Sequence, residues 1–194
     1  MARPKSYTRE EVLRRATDLF TRKGYEGAHL QELVEVTGLN RFSLYKEFGG
    51  KEGLFQAALD AYLQQLQALD AHLRRDPPGL ANVRAFYAAI MDHDFPHGCL
   101  AVNTIREKHL VPPSVFAIIE RFVASGEEGF RRNLAGAREA GELPPDTDVE
   151  GLAKLLTALN MGLFSYEIIA RERSDRARIV GVVARLLGLE IPAA

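Results

Sequence analysis

Cysteine occurs once in 194 residues, at Cys99, so no disulfide can form within the chain. Stability must come from burial, and the 46% share of hydrophobic residues is enough for a real core and too high for disorder. Long apolar runs are also missing: charge interrupts every stretch that could cross a bilayer, so no membrane partner is expected. The opening "MARPKSYTREEV" has no apolar segment of the kind a secretory leader carries, and a cytoplasmic location is expected. Strand-like alternation, internal repeats and low-complexity tracts are absent as well. No nucleophile elbow, phosphate loop, His-Glu-x-x-His or paired catalytic acids stand out, which argues against an enzyme and gives no reason to expect a cofactor.

What is present is asymmetry. The net charge of −1 hides a basic N-terminal block: residues 1–51 hold ten Lys/Arg and seven Asp/Glu, for +3. The remainder carries −4. A basic end on an acidic body suggests a polyanion partner at that end.

The hydrophobic spacing reads as helix after helix. Thr8 and Glu11 form a capping-box pattern ahead of Val12, Ala16, Leu19 and Phe20, and Gly24 stops this first helix. A short helix carrying Leu30, Leu33 and Val34 ends at Gly38. Asn40 is a good N-cap for the next, over about 41–47, which Gly49-Gly50 breaks. A long helix is expected over 51–74, stopped by Pro77-Pro78, and further ones near 79–92, 100–108, 113–140, 147–171 and 175–188. Asp146 or Thr147 is the expected cap after "AGELPPDTD".

Two short helices joined at a glycine, the second with a polar outer side, make a helix-turn-helix. In "LNRFSLYKEF", Leu39, Leu44 and Phe48 suit a small core, which leaves Arg41, Phe42, Ser43, Tyr45 and Lys46 outside. Such a helix can lie in the major groove of DNA. Arg41 could bond a guanine bidentately, worth about 1–3 kcal/mol of discrimination, and Phe42 could press on a thymine methyl. Tyr45, Lys46 and Lys51 suit phosphates. The bland alternative is the polar surface that any small helical domain has.

"LFTRKGYEGAHLQELVEVTGLNRFSLYKEFGGKEGLF" resembles the DNA-binding domain of the TetR family of transcriptional regulators. The likeness rests on Ala16, Leu19-Phe20, Gly24-Tyr25, Leu33, Gly38-Leu39, Ser43, Leu44-Tyr45, Phe48 and Lys51-Glu52. "AREAGELPPDTDVEGLAKLLTALNMGLF" is similar to the family's late-domain pattern. The resemblance implies an all-α homodimer: a three-helix DNA-binding domain over residues 1–50 and a larger ligand-binding and dimerisation domain over 51–194. It further implies a repressor that leaves a palindromic double-stranded operator when a small molecule binds. A ligand-independent activator or architectural DNA-binding protein is the alternative. The DNA-facing residues carried over are Thr8, His29, Asn40, Arg41, Phe42, Ser43, Tyr45, Lys46 and Lys51. Two departures stand out. Ala28-His29 replaces the usual Thr or Ser opening the second helix, so His29 would have to reach the phosphate. Glu47 would repel phosphate and is expected to point away or pair with Lys51. Phosphate affinity then leans on Tyr45, Lys46, Lys51, Arg3 and Lys5.

"MDHDFPHGCLAVN" gathers Asp92, His93, Asp94, His97 and Cys99, but their spacing matches no zinc pattern, and no metal is expected. "HGCLAVN" resembles the start of the sixth helix in a TetR subgroup with Gly-Cys-Leu there, some members of which sense electrophiles or oxidants. Near a helix N-terminus the thiol has a reason to ionise. The alternative is a small buried hydrophobe. An apolar or aromatic effector could be lined by Phe86, Ile90, Phe95, Cys99, Val102 and Phe116, with Ile119, Phe122 and Phe164. Asn103, Arg106 and Asn160 are polar candidates. Ile168, Ile169, Ile179, Val183 and Leu186 are expected in the core or at a two-fold interface.

Overall fold

The computed structural model describes residues 7–93, 95, 97–166, 168–169 and 173–188. Among the described residues the helices are α1 (Arg9–Gly27), α2 (Leu30–Thr37), α3 (Arg41–Phe48), α4 (Lys51–Asp70), α5 (Leu80–Asp92), α6 (Leu100–Ile105), α7 (Pro113–Glu139), α8 (Val149–Tyr166) and α9 (Arg173–Leu186). No strand occurs among these residues, so the all-α expectation holds. Arg3, Lys5, Asp94 and Pro96 lie outside the described residues.

Helix ends follow side-chain chemistry. Thr8 Oγ1 accepts the Glu11 amide at 3.2 Å, the expected half of the capping box. The other half is replaced: the Glu11 carboxylate turns to Arg14 and Arg15, whose hydrogen bonds pull its pKa down to about 2. The fourth helix stops at Asp70, and Ala71–Arg74 tighten into a 3-10 turn. Asp148, rather than Asp146 or Thr147, caps α8 by accepting the Gly151 amide at 2.9 Å. The Thr147 hydroxyl is spent on the Pro144 carbonyl at 2.7 Å.

The chain forms two compact units, Met1–Gln65 with Cys99–Ile119, and Leu66–Gly98 with Glu120–Ala194. The first buries Val12, Ala16, Leu19 and Phe20 of α1, Leu33 of α2, Leu44 of α3, and Leu54, Phe55 and Ala58 of α4. Phe20 meets Phe55 edge-on at 4.8 Å between ring centres, a preferred aromatic geometry.

The second unit centres on Phe86, Tyr87 and Phe130, with Phe86 edge-on to Phe130 at 5.2 Å. Its corner after the 3-10 turn hangs on Asn133, which is fully buried. Asn133 Nδ2 donates to the Leu73 and Gly129 carbonyls, each at 2.7 Å. Its Oδ1 accepts from the Gly79 amide at 3.1 Å and from Asn82 Nδ2 at 2.8 Å. One side chain thereby satisfies the backbone of a proline-rich turn that cannot pair with itself. Asn133→Ala leaves the Gly79 amide and Leu73 carbonyl unpaired in the interior. Urea unfolding is expected to show a loss of about 2–4 kcal/mol at unchanged m-value.

Candidate nucleic-acid interface

The turn between α2 and α3 is built from three short-range devices. Gly38 takes the left-handed conformation, φ 70°, and its amide bonds the Val34 carbonyl at 3.1 Å, closing α2. Asn40 Oδ1 accepts the Ser43 amide at 2.7 Å and opens α3. Gly49, φ 77°, ends α3 with a 2.9 Å bond to the Tyr45 carbonyl. Leu39 and Leu44 are buried and Phe48 is half-buried, so one stripe of α3 anchors it. The Arg9 guanidinium covers the Phe48 ring at 4.8 Å.

The opposite face is open. Arg41 and Lys46 are exposed, Phe42 is 74% exposed and Tyr45 54% exposed. This eight-residue helix spends its core stripe on Leu44 and still shows two aromatic rings to water. Cations and aromatics interleave there with no acidic residue in the first turn. Ser43 is half-buried and Asn40 exposed, beside that face.

Lys51 is placed differently from the expected phosphate contact, and of the two courses expected for Glu47 the pairing with Lys51 is not taken. Glu47 does not pair with Lys51; it accepts the Tyr7 hydroxyl at 2.8 Å. Lys51 turns inward: its Nζ donates to the Glu26 carbonyl at 3.2 Å and lies 4.7 Å from the centre of the Tyr25 ring. His29 is the exposed N-cap of α2, and its amide donates to Glu32 Oε2 at 3.3 Å. The capping role usually given to a hydroxyl there falls partly to Glu32.

The expected ligand lining divides between the units. Phe86, Ile90, Phe95, Phe122, Asn160 and Phe164 belong to one; Cys99, Val102, Asn103, Arg106, Phe116 and Ile119 belong to the other. In the first set Phe95 and Phe164 pack at 4.6 Å between ring centres. The Tyr87 hydroxyl and the Asn160 side chain are buried facing one another, each the nearest polar partner of the other. In the second set Asn103 does not simply line a cavity, since its Nδ2 donates to the Thr21 carbonyl at 3.0 Å. Arg106 is exposed, and Lys108 covers the Phe116 ring at 4.8 Å. A groove of about 330 Å³ that sequence reasoning missed lies along α1 and α4, lined by Leu13, Thr17, Ala61 and Gln65 with Arg9, Glu10 and Arg14.

Cys99 is 1% exposed at the N-cap of α6. Burial pushes its thiol pKa up, outweighing the nearby Tyr62 hydroxyl and the Val102 and Ala101 amides. The expected thiolate is therefore overruled by desolvation. Among the described residues no cluster of three His, Cys, Asp or Glu side chains is placed to hold a metal ion.

Of the expected interface residues, Ile168 and Ile169 are 55% and 71% exposed and Leu186 79%. Ile179 is half-buried. Val183 is buried, the core alternative, as are Val180, Ala184 and Leu187, while Val182 is 46% exposed.

A glycine-closed pair of short helices whose second member is anchored by a leucine stripe and exposes cations and aromatics defines a helix-turn-helix DNA-binding protein. Residues 12–58 match the family described as bacterial regulatory proteins of the tetR family, and residues 79–180 match the tetracyclin repressor-like C-terminal domain. The chain belongs to the TetR family and is a transcriptional regulator. It is 32% identical to the HTH-type transcriptional repressor ComR of Escherichia coli K12, over 96% of this chain and 90% of that one. It is likewise 32% identical to the HTH-type regulator YezE of Bacillus subtilis 168, over 92% and 94%. Among solved structures it is similar to a cysteine mutant of the TetR family regulator CifR complexed with 26-base-pair double-strand operator DNA. That likeness has 31% identity and a TM-score of 0.76, and it covers 96% of this chain and 98% of that one.

The burial of Cys99 has a direct consequence. A thiol reagent such as dithionitrobenzoate is expected to label the native protein at least about tenfold more slowly than the urea-unfolded chain. Equal rates would show that the thiol is open to solvent.

Proposed function

We propose that this protein is a homodimeric repressor that binds a palindromic double-stranded operator and leaves it when a small apolar or aromatic effector binds. Residues 1–50 read DNA, and residues 51–194 bind the effector and form the dimer. The observation that carries the reading is the open face of α3, where Arg41, Phe42, Tyr45 and Lys46 stand clear of the protein. Arg41 and Phe42, in the first turn, are assigned to base edges; Tyr45 and Lys46 to phosphates. The CifR relative, solved with double-strand operator DNA, supports operator binding by this chain.

Dimerisation is supported by the large apolar side chains left in water: Leu155 on α8, Ile168 and Ile169 just beyond it, and Val182 and Leu186 on α9. A two-fold axis would bury this surface against the same surface of a second copy and give two recognition helices for two half-sites. Release follows as a population shift: the effector binds the conformation whose recognition helices no longer match successive major grooves, and it must bind that conformation better. The protein acts without catalysis, in the cytoplasm where its DNA lies.

A second reading, release by modification of Cys99, is favoured by the engineered cysteines of the CifR relative. In this chain it requires α6 to open first, because the thiol is enclosed. Cys99→Ser is expected to bind operator normally, and only under this second reading would it ignore electrophiles that release the wild type.

Selection of duplexes from a random pool by the full-length protein tests the main reading. A palindromic consensus is expected, with binding that weakens steeply as salt rises. Arg41→Ala should cost about 1–3 kcal/mol and relax preference at one base of each half-site, whereas Lys46→Ala should weaken all sequences alike. Leu186→Glu should shift the protein toward monomer in sedimentation and reduce operator affinity with it. Failure to enrich any duplex would defeat the regulator reading.

A further inference from the structure

Glu107 is 82 residues from Tyr25 in sequence, yet its carboxylate accepts the Tyr25 amide at 2.6 Å and the Glu26 amide at 3.1 Å. Four residues earlier, Asn103 Nδ2 donates to the Thr21 carbonyl at 3.0 Å. These bonds fall on either side of a break in α1. Gly24 has φ 75° and ψ 175°, which no helix contains. Before the break, helix geometry leaves carbonyls such as that of Thr21 without an amide to bond. After it, the new turn leaves amides without acceptors. Asn103 supplies a donor to the first set and Glu107 an acceptor to the second. The fit is close: a Cβ at Gly24 would stand 2.6 Å from Glu107 Oε1, so any other residue would have to displace the carboxylate and also adopt a left-handed backbone.

The turn held in this way is tied to the start of α4, just beyond the DNA-reading helix. The Tyr25 ring packs 4.9 Å from Phe55. Lys51, the first residue of α4, donates to the Glu26 carbonyl and lies over the Tyr25 ring. Only Gly49 and Gly50 separate Lys51 from the end of α3.

We propose that Glu107, assisted by Asn103, is a positioning residue for DNA binding. It fixes the broken end of α1, and through Tyr25 and Glu26 the start of α4, in the arrangement that presents α3. The effect reaches α3 through backbone hydrogen bonds, with no contact between Glu107 and DNA. This inference rests on the regulator reading and adds two residues that hold its DNA-binding end in place.

The test uses full-length wild type, Glu107→Ala and Glu107→Gln, with amide hydrogen exchange, thermal denaturation and binding to the duplex that the wild type selects. Glu107→Ala is expected to speed exchange at the Tyr25 and Glu26 amides by at least about tenfold while leaving the Leu33 and Leu44 amides unchanged. Duplex affinity is expected to fall about tenfold in the same variant. Glu107→Gln keeps an acceptor oxygen and should fall between the two, a graded rescue that general loosening of the core would not give. If Glu107→Ala does not fold, the same two readouts are taken on Glu107→Gln against wild type, with smaller shifts in the same directions expected. Unchanged exchange at Tyr25 and Glu26 overturns the inference, as does raised exchange with unaltered duplex affinity. A wild type that selects no duplex overturns both the inference and the regulator reading before any variant is needed.

Discussion

Helices α2 and α3 have eight residues each, and helices that short do not persist alone in water. They exist because Leu33, Leu39 and Leu44 are fully buried in a core that Phe20 and Phe55 help to form. That burial is the constraint behind the exposed face of α3. It consumes one narrow stripe of α3 and fixes the helix rotation, so that Arg41, Phe42, Tyr45 and Lys46 are left outside. The caps then fix where α3 starts and stops: Asn40 at one end, Gly49 at the other. Neither the stripe nor the caps could be removed without changing which side chains face outward.

This arrangement was legible in the sequence because each of its parts is local. Glycines at turns, an asparagine at a helix start and leucines at helical spacing act within a few residues of themselves. The helix order and most boundaries could be read for the same reason, since every helix carries its apolar spacing in its own residues. Helix caps were less secure where several acceptors compete. Asp146, Thr147 and Asp148 stand side by side, and only packing decides that Asp148 takes the amide. Long charged side chains were hardest to place. Lys51 has the reach for phosphate or for the Glu26 carbonyl, and Glu47 for Lys51 or Tyr7; nothing in the local sequence separates these choices. Asn103 was read only as a polar candidate for the ligand lining and Glu107 not at all, because their partners lie more than eighty residues away.

Cys99 shows two electrostatic effects in opposition. Its place at the start of α6 argues for an ionised thiol, and the Ala101 and Val102 amides do pull in that direction. The side chain is also enclosed, and the cost of removing a charge from water exceeds what two amides return. Sequence position revealed the first effect and concealed the second.

The unit that contains the recognition helix is discontinuous: it takes Met1–Gln65 and then, after a detour, Cys99–Ile119. A ribosome releases α1 to α4 well before the segment that holds Asn103 and Glu107. During that interval the nascent N-terminal part has its leucine stripe but no external support for the Tyr25 and Glu26 amides. Completion of that unit is therefore tied to synthesis of more than half the chain, and an excised N-terminal third would be an incomplete version of it.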